Sequence, residues 1–171
     1  MSEKFYIYFL LIVIGLGCAR KKKGTTFFND FENTVGWNPS SLTKEPHFSG
    51  TYSNRLDSTH IYGSTFQLKF KQVSLREIKK VKVTFWAFLS DEAAQGKFVV
   101  EVNDPSKQNL FWIAKNFQDL IDTPNKWIKV KLEFTFPNES TTSLDNEIKI
   151  YGWNLSKKDI YIDDEEIEFV I

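Results

Sequence analysis

Val81-Lys82-Val83-Thr84-Phe85-Trp86-Ala87-Phe88-Leu89 is the stretch from which the rest of the chain can be read. Val81, Val83, Phe85, Ala87 and Leu89 occupy every second position, with Lys82, Thr84, Trp86 and Phe88 between them. Successive side chains of an extended strand project to opposite faces, so one row lies on a core and the other faces away. Residues 128–136 repeat the device, with Ile128, Val130, Leu132, Phe134 and Phe136 alternating with Lys129, Lys131, Glu133 and Thr135.

Further strands are expected over residues 25–31, 64–73, 97–103, 110–114, 147–154 and 159–171. Turn-forming residues separate them: the segment 36–39, Ser49-Gly50, Asn103-Asp104-Pro105, Pro124-Asn125 and Pro137-Asn138. Only residues 91–95 and 116–121 read as helical, and both segments are short. Eight or nine short strands at this spacing predict an all-β fold, an antiparallel β-sandwich occupying residues 25–171 as one domain.

Cys18 is the single cysteine, so no intramolecular disulfide can staple the sandwich and core packing or a bound metal must hold it. The apolar run 5–16 is too short for a spanning helix but has the length of a signal-peptide core, with the small residue Gly17 after it. Gly15-Leu16-Gly17-Cys18 resembles the end of a bacterial lipoprotein signal peptide. That resemblance implies removal of residues 1–17, acylation of Cys18, and attachment to the cell envelope, in particular the outer membrane. Residues 18–24 then form a linker in which Arg20, Lys21, Lys22 and Lys23 meet the membrane surface. Periplasmic and exterior facing both stay open. The chain carries 22 basic and 22 acidic residues, without the clustered positive field that a nucleic-acid partner requires.

Three separated motifs carry a second resemblance: Asp30-Phe31-Glu32 followed by Trp37, then Ser49-Gly50-Thr51-Tyr52-Ser53, and last Tyr161-Ile162-Asp163-Asp164. In this order they resemble galactose-binding-like jelly rolls, especially non-catalytic carbohydrate-binding modules. The tract Ile148-Lys149-Ile150-Tyr151-Gly152-Trp153-Asn154 is similar to modules of this kind on bacterial lipoproteins. The resemblance implies a jelly roll whose first and last strands lie side by side, with a structural calcium joining them to the Ser-Gly loop. Glu32 and Asp163 would supply side-chain oxygens to that ion, Thr51 a backbone carbonyl, and Asp30 a further oxygen. Glu165 and Glu166 stand where such modules carry an apolar residue after the paired aspartates. The competing reading of 163–166 is a solvated acidic stretch that blocks edge pairing.

A sugar-binding face needs exposed aromatic rings to stack on pyranose faces, and amides or carboxylates to take the hydroxyls. Trp86 and Phe88 alternate away from the aliphatic row of their strand, and Tyr151 and Trp153 do so in theirs. If both strands belong to one concave sheet, these four line a groove, with Glu101 and Asn103 as polar partners. Trp37 and Trp127 match framework positions of the resemblance, and Trp112 ranks behind Trp86, Tyr151 and Trp153 as a platform.

Catalysis has little support. His47 and His60 lie in loop-like sequence without a serine elbow, and Asp163 and Asp164, adjacent on a strand, should point to opposite sides instead of facing across a cleft. Two functions follow. One is glycan binding, of polysaccharide or oligosaccharide, by a lipid-tethered module. The other is a structural or adaptor role in which the aromatic patch contacts an envelope protein.

Overall fold

The alternation in residues 81–89 is realised in the computed structural model, which describes residues 24–33, 37 and 41–171. The signal segment 1–17, Cys18 and the basic run 20–23 lie outside the described residues. In chain order the elements are β1 (Thr25–Asn29), β2 (Leu42–Thr43), β3 (Ser53–Leu56), β4 (Phe66–Lys69), α1 (Phe70–Val73) and β5 (Lys80–Leu89). There follow β6 (Gly96–Asn103), β7 (Asn109–Asn116), α2 (Phe117–Leu120), β8 (Ile128–Thr135), β9 (Glu147–Asn154) and β10 (Ile160–Val170). In β5 each residue from Val81 to Leu89 at the odd positions is buried, and those between are half-buried.

The strands form two antiparallel sheets. One has the order β2-β3-β10-β5-β8 with β1 also on β10, and the other the order β4-β9-β6-β7. β10 organises the first: β5 runs along one side of it, while β3 pairs with Ile160–Ile162 and β1 with Glu165–Phe169 on the other side. First and last strands are thus neighbours, as a jelly roll requires.

The core lies between the sheets. Phe85 of β5 stacks on Phe98 of β6 with ring centroids 4.5 Å apart, and Phe117 of α2 packs edge-on to both. Phe27, Phe66 and Phe169 form a second aromatic cluster, joined by Trp37. Each fully buried phenylalanine contributes about 2–3 kcal/mol of transfer free energy, and the ring pairs add about 0.5–1.5 kcal/mol. Aromatic packing therefore does the work a disulfide would otherwise do.

Several boundaries differ from the sequence reading. The strand expected over 64–73 ends at Lys69, because Phe70 and Val73, three apart, bury together on one turn of helix, and the Gln72 Oε1 accepts the Lys69 amide at 2.8 Å. Residues 91–95 form a turn closed by Ala93 and Ala94 amides on Asp91, not a helix. β2 and β3 were not expected: Ser53-Asn54-Arg55-Leu56 buries two polar side chains, Ser53 and Asn54, so its hydropathy does not alternate.

Candidate ligand-binding groove

The outer face of the four-stranded sheet is built by the same period of two. Ile148, Ile150 and Gly152 of β9 and Phe98, Val100 and Val102 of β6 face the core. Glu147, Lys149, Tyr151 and Trp153, and Lys97, Val99, Glu101 and Asn103, therefore face outward. Strand register sets them in rows. Lys149 lies opposite Glu101 and Glu101 opposite Trp112; Tyr151 lies opposite Val99 and Val99 opposite Ala114; Trp153 lies opposite Lys97 and Lys97 opposite Asn116. The middle row thus carries Tyr151, the fully buried Val99 and Ala114, between rows bearing Trp112 and Trp153. Tyr62 bridges to Trp153 from outside the sheet and adds a ring 5.9 Å from that of Trp153 and 5.8 Å from that of Tyr151. Trp112 and Tyr62 are each 46% exposed, so both offer ring surface to a ligand. Gly152 lets the two sheets approach beneath this face, since a Cβ there would lie 2.8 Å from Leu56 and 2.9 Å from Ile162.

A hydrogen-bond chain fixes the polar centre. The Tyr151 hydroxyl donates to Glu101 Oε2 at 3.1 Å, Asn103 Nδ2 donates to Glu101 Oε1 at 2.5 Å, and Asn109 Nδ2 donates to Asn103 Oδ1 at 3.2 Å. The indole of Trp112 neighbours the Tyr151 hydroxyl. Lys149 Nζ stands 4.0 Å from Glu101. Burial, then the Glu101 charge, pushes the Tyr151 phenol up to about 12, so it stays a neutral donor at physiological pH. The face thus offers rings for stacking and a carboxylate, Glu101, held in place by Tyr151 and the buried Asn103.

Of the residues expected to line one groove, Tyr151, Trp153, Glu101 and Asn103 lie on one face of one sheet. Trp86 and Phe88 do not, because β5 belongs to the other sheet. There Trp86 is stacked on Phe48 with centroids 3.8 Å apart, and Lys129 Nζ lies 5.7 Å from its ring. Phe88 packs on Trp127 and Tyr161. Period two tells which face of its own sheet a side chain takes, but not to which sheet the strand belongs. Tyr62, Lys97 and Lys149 carry no role in the sequence reading, and Trp112 only a rank behind the other rings. For Trp112 a signal existed, since it alternates with Phe111 and Ile113, which pack on the core.

Glu32 and Asp163 meet the loop of Ser49, Gly50 and Thr51, while Asp30, among the described residues, bonds only the amide of Glu32. Glu32 Oε1 accepts the Thr51 and Tyr52 amides, both at 2.7 Å, and these bonds, that of Thr51 first, lower its pKa. Asp163 Oδ2 accepts the Phe48 and Ser49 amides at 2.8 and 3.2 Å, and its Oδ1 the Asp164 amide at 2.8 Å. Asp30 Oδ1 accepts the Glu32 amide at 3.1 Å. Calcium takes six to eight oxygens, whereas the two carboxylates that reach this loop, Glu32 and Asp163, are already engaged by backbone amides. Among the described residues, no three His, Cys, Asp or Glu side chains form a metal-holding group. The loop is fastened to the first and last strands by amide–carboxylate bonds.

Two expectations about the acidic stretch are corrected. Asp163 and Asp164 do not serve opposite sides: β10 bulges between Asp163 and Glu166, Asp164 has φ 48°, and Asp164 Oδ1 accepts the Ser49 hydroxyl at 2.8 Å on the loop that Asp163 also holds. Nor is the stretch a solvated one, since Asp163 and Glu165 are buried. Burial pushes Asp163 up to about 6 against the pull of its amides, and Glu165 up to about 8.

No protein-family model and no curated protein sequence matches the chain. Solved structures do share its architecture. The CBM22-1 xylan-binding domain from Paenibacillus barcinonensis Xyn10C superposes with a TM-score of 0.59 at 19% identity, covering 88% of this chain and 97% of that one. The C-terminal family 22 carbohydrate binding module of Clostridium thermocellum Xyn10B gives 0.59 at 16% identity, covering 86% and 94%. The xylan-binding module CBM15 gives 0.50 at 9% identity, covering 86% and 97%. At these identities the likeness is one of fold, and the chain has the β-sandwich jelly roll of carbohydrate-binding modules.

Proposed function

We propose that this domain binds a glycan without catalysis, holding the chain across the outer face of β4-β9-β6-β7. The observation that carries this reading is the placement of Trp112, Tyr151, Trp153 and Tyr62 on one sheet face, over the buried Val99 and beside the hydrogen-bonded Glu101. Rings of this kind stack on sugar faces while the carboxylate takes hydroxyls. Structures of the same fold are described as xylan-binding, which makes β-linked xylan the first glycan to test. The carboxylates on the face, Glu101 and Glu147, are each within reach of a lysine, an arrangement suited to binding more than to acid–base work. Cys18, once acylated, would tether the domain to the outer membrane. Calcium at the loop of Asp30, Glu32, Thr51 and Asp163 belongs to the same proposal as a structural aid and not a ligand contact.

Titration of the chain with xylan, mannan, β-glucan and pectin oligosaccharides tests the reading. Saturable binding of one class, abolished in Trp112→Ala and retained in Trp86→Ala, supports it. Silence across the panel with the fold intact removes it.

A second reading, an envelope-protein adaptor, is favoured by the other sheet. Phe48, 39% exposed, caps the Trp86, Trp127 and Phe88 cluster there, and Phe28 is 57% exposed. Co-purification lost in Phe48→Ser but kept in Trp112→Ala would support that role.

A further inference from the structure

Lys97 is the residue on the groove that the binding face as described so far leaves unused. Its Nζ lies 5.6 Å from the Trp112 ring centroid and 6.0 Å from that of Trp153, between the two indoles of the face. Three other lysines of this region are matched: Lys149 stands 4.0 Å from Glu101, Lys107 3.1 Å from Glu147, and Lys71 2.7 Å from Asp145. Among the described residues Lys97 forms no ion pair. Its register neighbours are Trp153 on one side and Asn116 on the other, and Asn116 donates to Asp119, which lies in α2.

A cation between two rings at an exposed site is weakly held, because the attraction of a ring face for an ammonium is small while water still reaches it. An anion arriving there would gain a charge-assisted hydrogen bond and lose little in return. The ring walls also fix what kind of anion fits. A sugar stacked on Trp112 or Trp153 carries its substituents at the ring edge, which places a carboxylate at C6, or on a branching residue, within reach of an ammonium between the two indoles. A neutral sugar leaves the charge unanswered.

Resting on the glycan-groove reading above, we propose that the face selects glycans bearing uronic acid, with Lys97 as the counter-ion of the sugar carboxylate. Lys97 is then a specificity-determining residue, and Trp112 and Trp153 supply stacking that is indifferent to charge.

The test compares two xylo-oligosaccharides of matched backbone length, one unbranched and one with a single glucuronic acid branch, by calorimetric titration of the full-length chain in neutral detergent micelles. The acidic oligosaccharide is expected to bind about tenfold more tightly at low salt, and the preference to shrink as sodium chloride rises through the range where surface pairs are screened. Lys97→Met keeps the aliphatic stem between the rings and should abolish the preference while leaving the unbranched ligand within about twofold; Lys97→Arg should restore it. Equal affinities in the wild type, or a preference surviving in Lys97→Met, overturn the assignment of Lys97 while the groove reading stands. Failure of both oligosaccharides to bind overturns both. A near-ultraviolet circular dichroism spectrum of Lys97→Met matching the wild type ensures that lost preference is not lost packing.

Discussion

Glu165 is a carboxyl group placed inside a sandwich. It is 2% exposed, and its Oε1 has no hydrogen-bond partner. Burial pushes its pKa from 4.5 to about 8. Between those values the unfolded chain releases a proton that the folded chain keeps. Its contribution is therefore full below pH 4.5 and is lost as pH rises through 8. One pKa unit corresponds to about 1.4 kcal/mol, so raising the pH from 5 to 8 should remove about 4 kcal/mol at most. Asp163, raised to about 6, acts in the same direction at the acidic end of that window. Domains are stable by only about 5–15 kcal/mol, so such a loss is easily measured. The assay is urea unfolding at pH 5, 6, 7 and 8 for a chain lacking residues 1–23, as wild type, Glu165→Gln and Glu165→Leu. The wild-type midpoint should fall steadily with pH, Glu165→Gln should flatten most of the fall, and Glu165→Leu should be the most stable of the three at pH 8. Stability that is flat or rising from pH 5 to 8, or an unchanged slope in Glu165→Gln, would refute the reasoning.

Other expectations follow from the same structure. Phe85→Ala removes a fully buried ring stacked on Phe98 and should cost about 3–5 kcal/mol in urea unfolding. Glu32→Ala frees the Thr51 and Tyr52 amides, so hydrogen exchange at those two amides should accelerate while the β5 amides keep their protection. If calcium binds at the Ser49-Gly50 loop, millimolar calcium raises the melting temperature and a chelator lowers it, with both shifts lost in Asp163→Asn; no shift with either removes the ion from the account. Tyr151→Phe deletes the hydroxyl between Trp112 and Glu101 and should weaken glycan binding while leaving thermal stability near wild type.

How much of this was legible in the sequence depends on the range of the interaction. Alternation in residues 81–89 and 128–136 gave β5 and β8, and 147–154 gave β9 with its bounds, because each strand buries one face completely. The pairing of first and last strands came from the resemblance and not from the pattern. Two things were out of reach. β3 is held by backbone pairing to β10 and buries two polar residues, and the two-residue β2 pairs only with β3, so hydropathy is silent there. The allotment of β5 and β9 to different sheets is a matter of topology, and it separated Trp86 and Phe88 from Tyr151 and Trp153. Lys97 could not be singled out either, since its surroundings come from β7 and β9, distant in sequence.

The central claim is that ligand meets the face of β9, β6 and β7, and nuclear magnetic resonance observes it at single indoles. Glycan is titrated into the nitrogen-15-labelled chain while the side-chain N–H signals of Trp86, Trp112, Trp127 and Trp153 are followed. Saturable shifts at Trp112 and Trp153, with Trp86 and Trp127 still, are the expected result. Shifts confined to Trp86 and Trp127 would place the site on the opposite sheet and contradict the account.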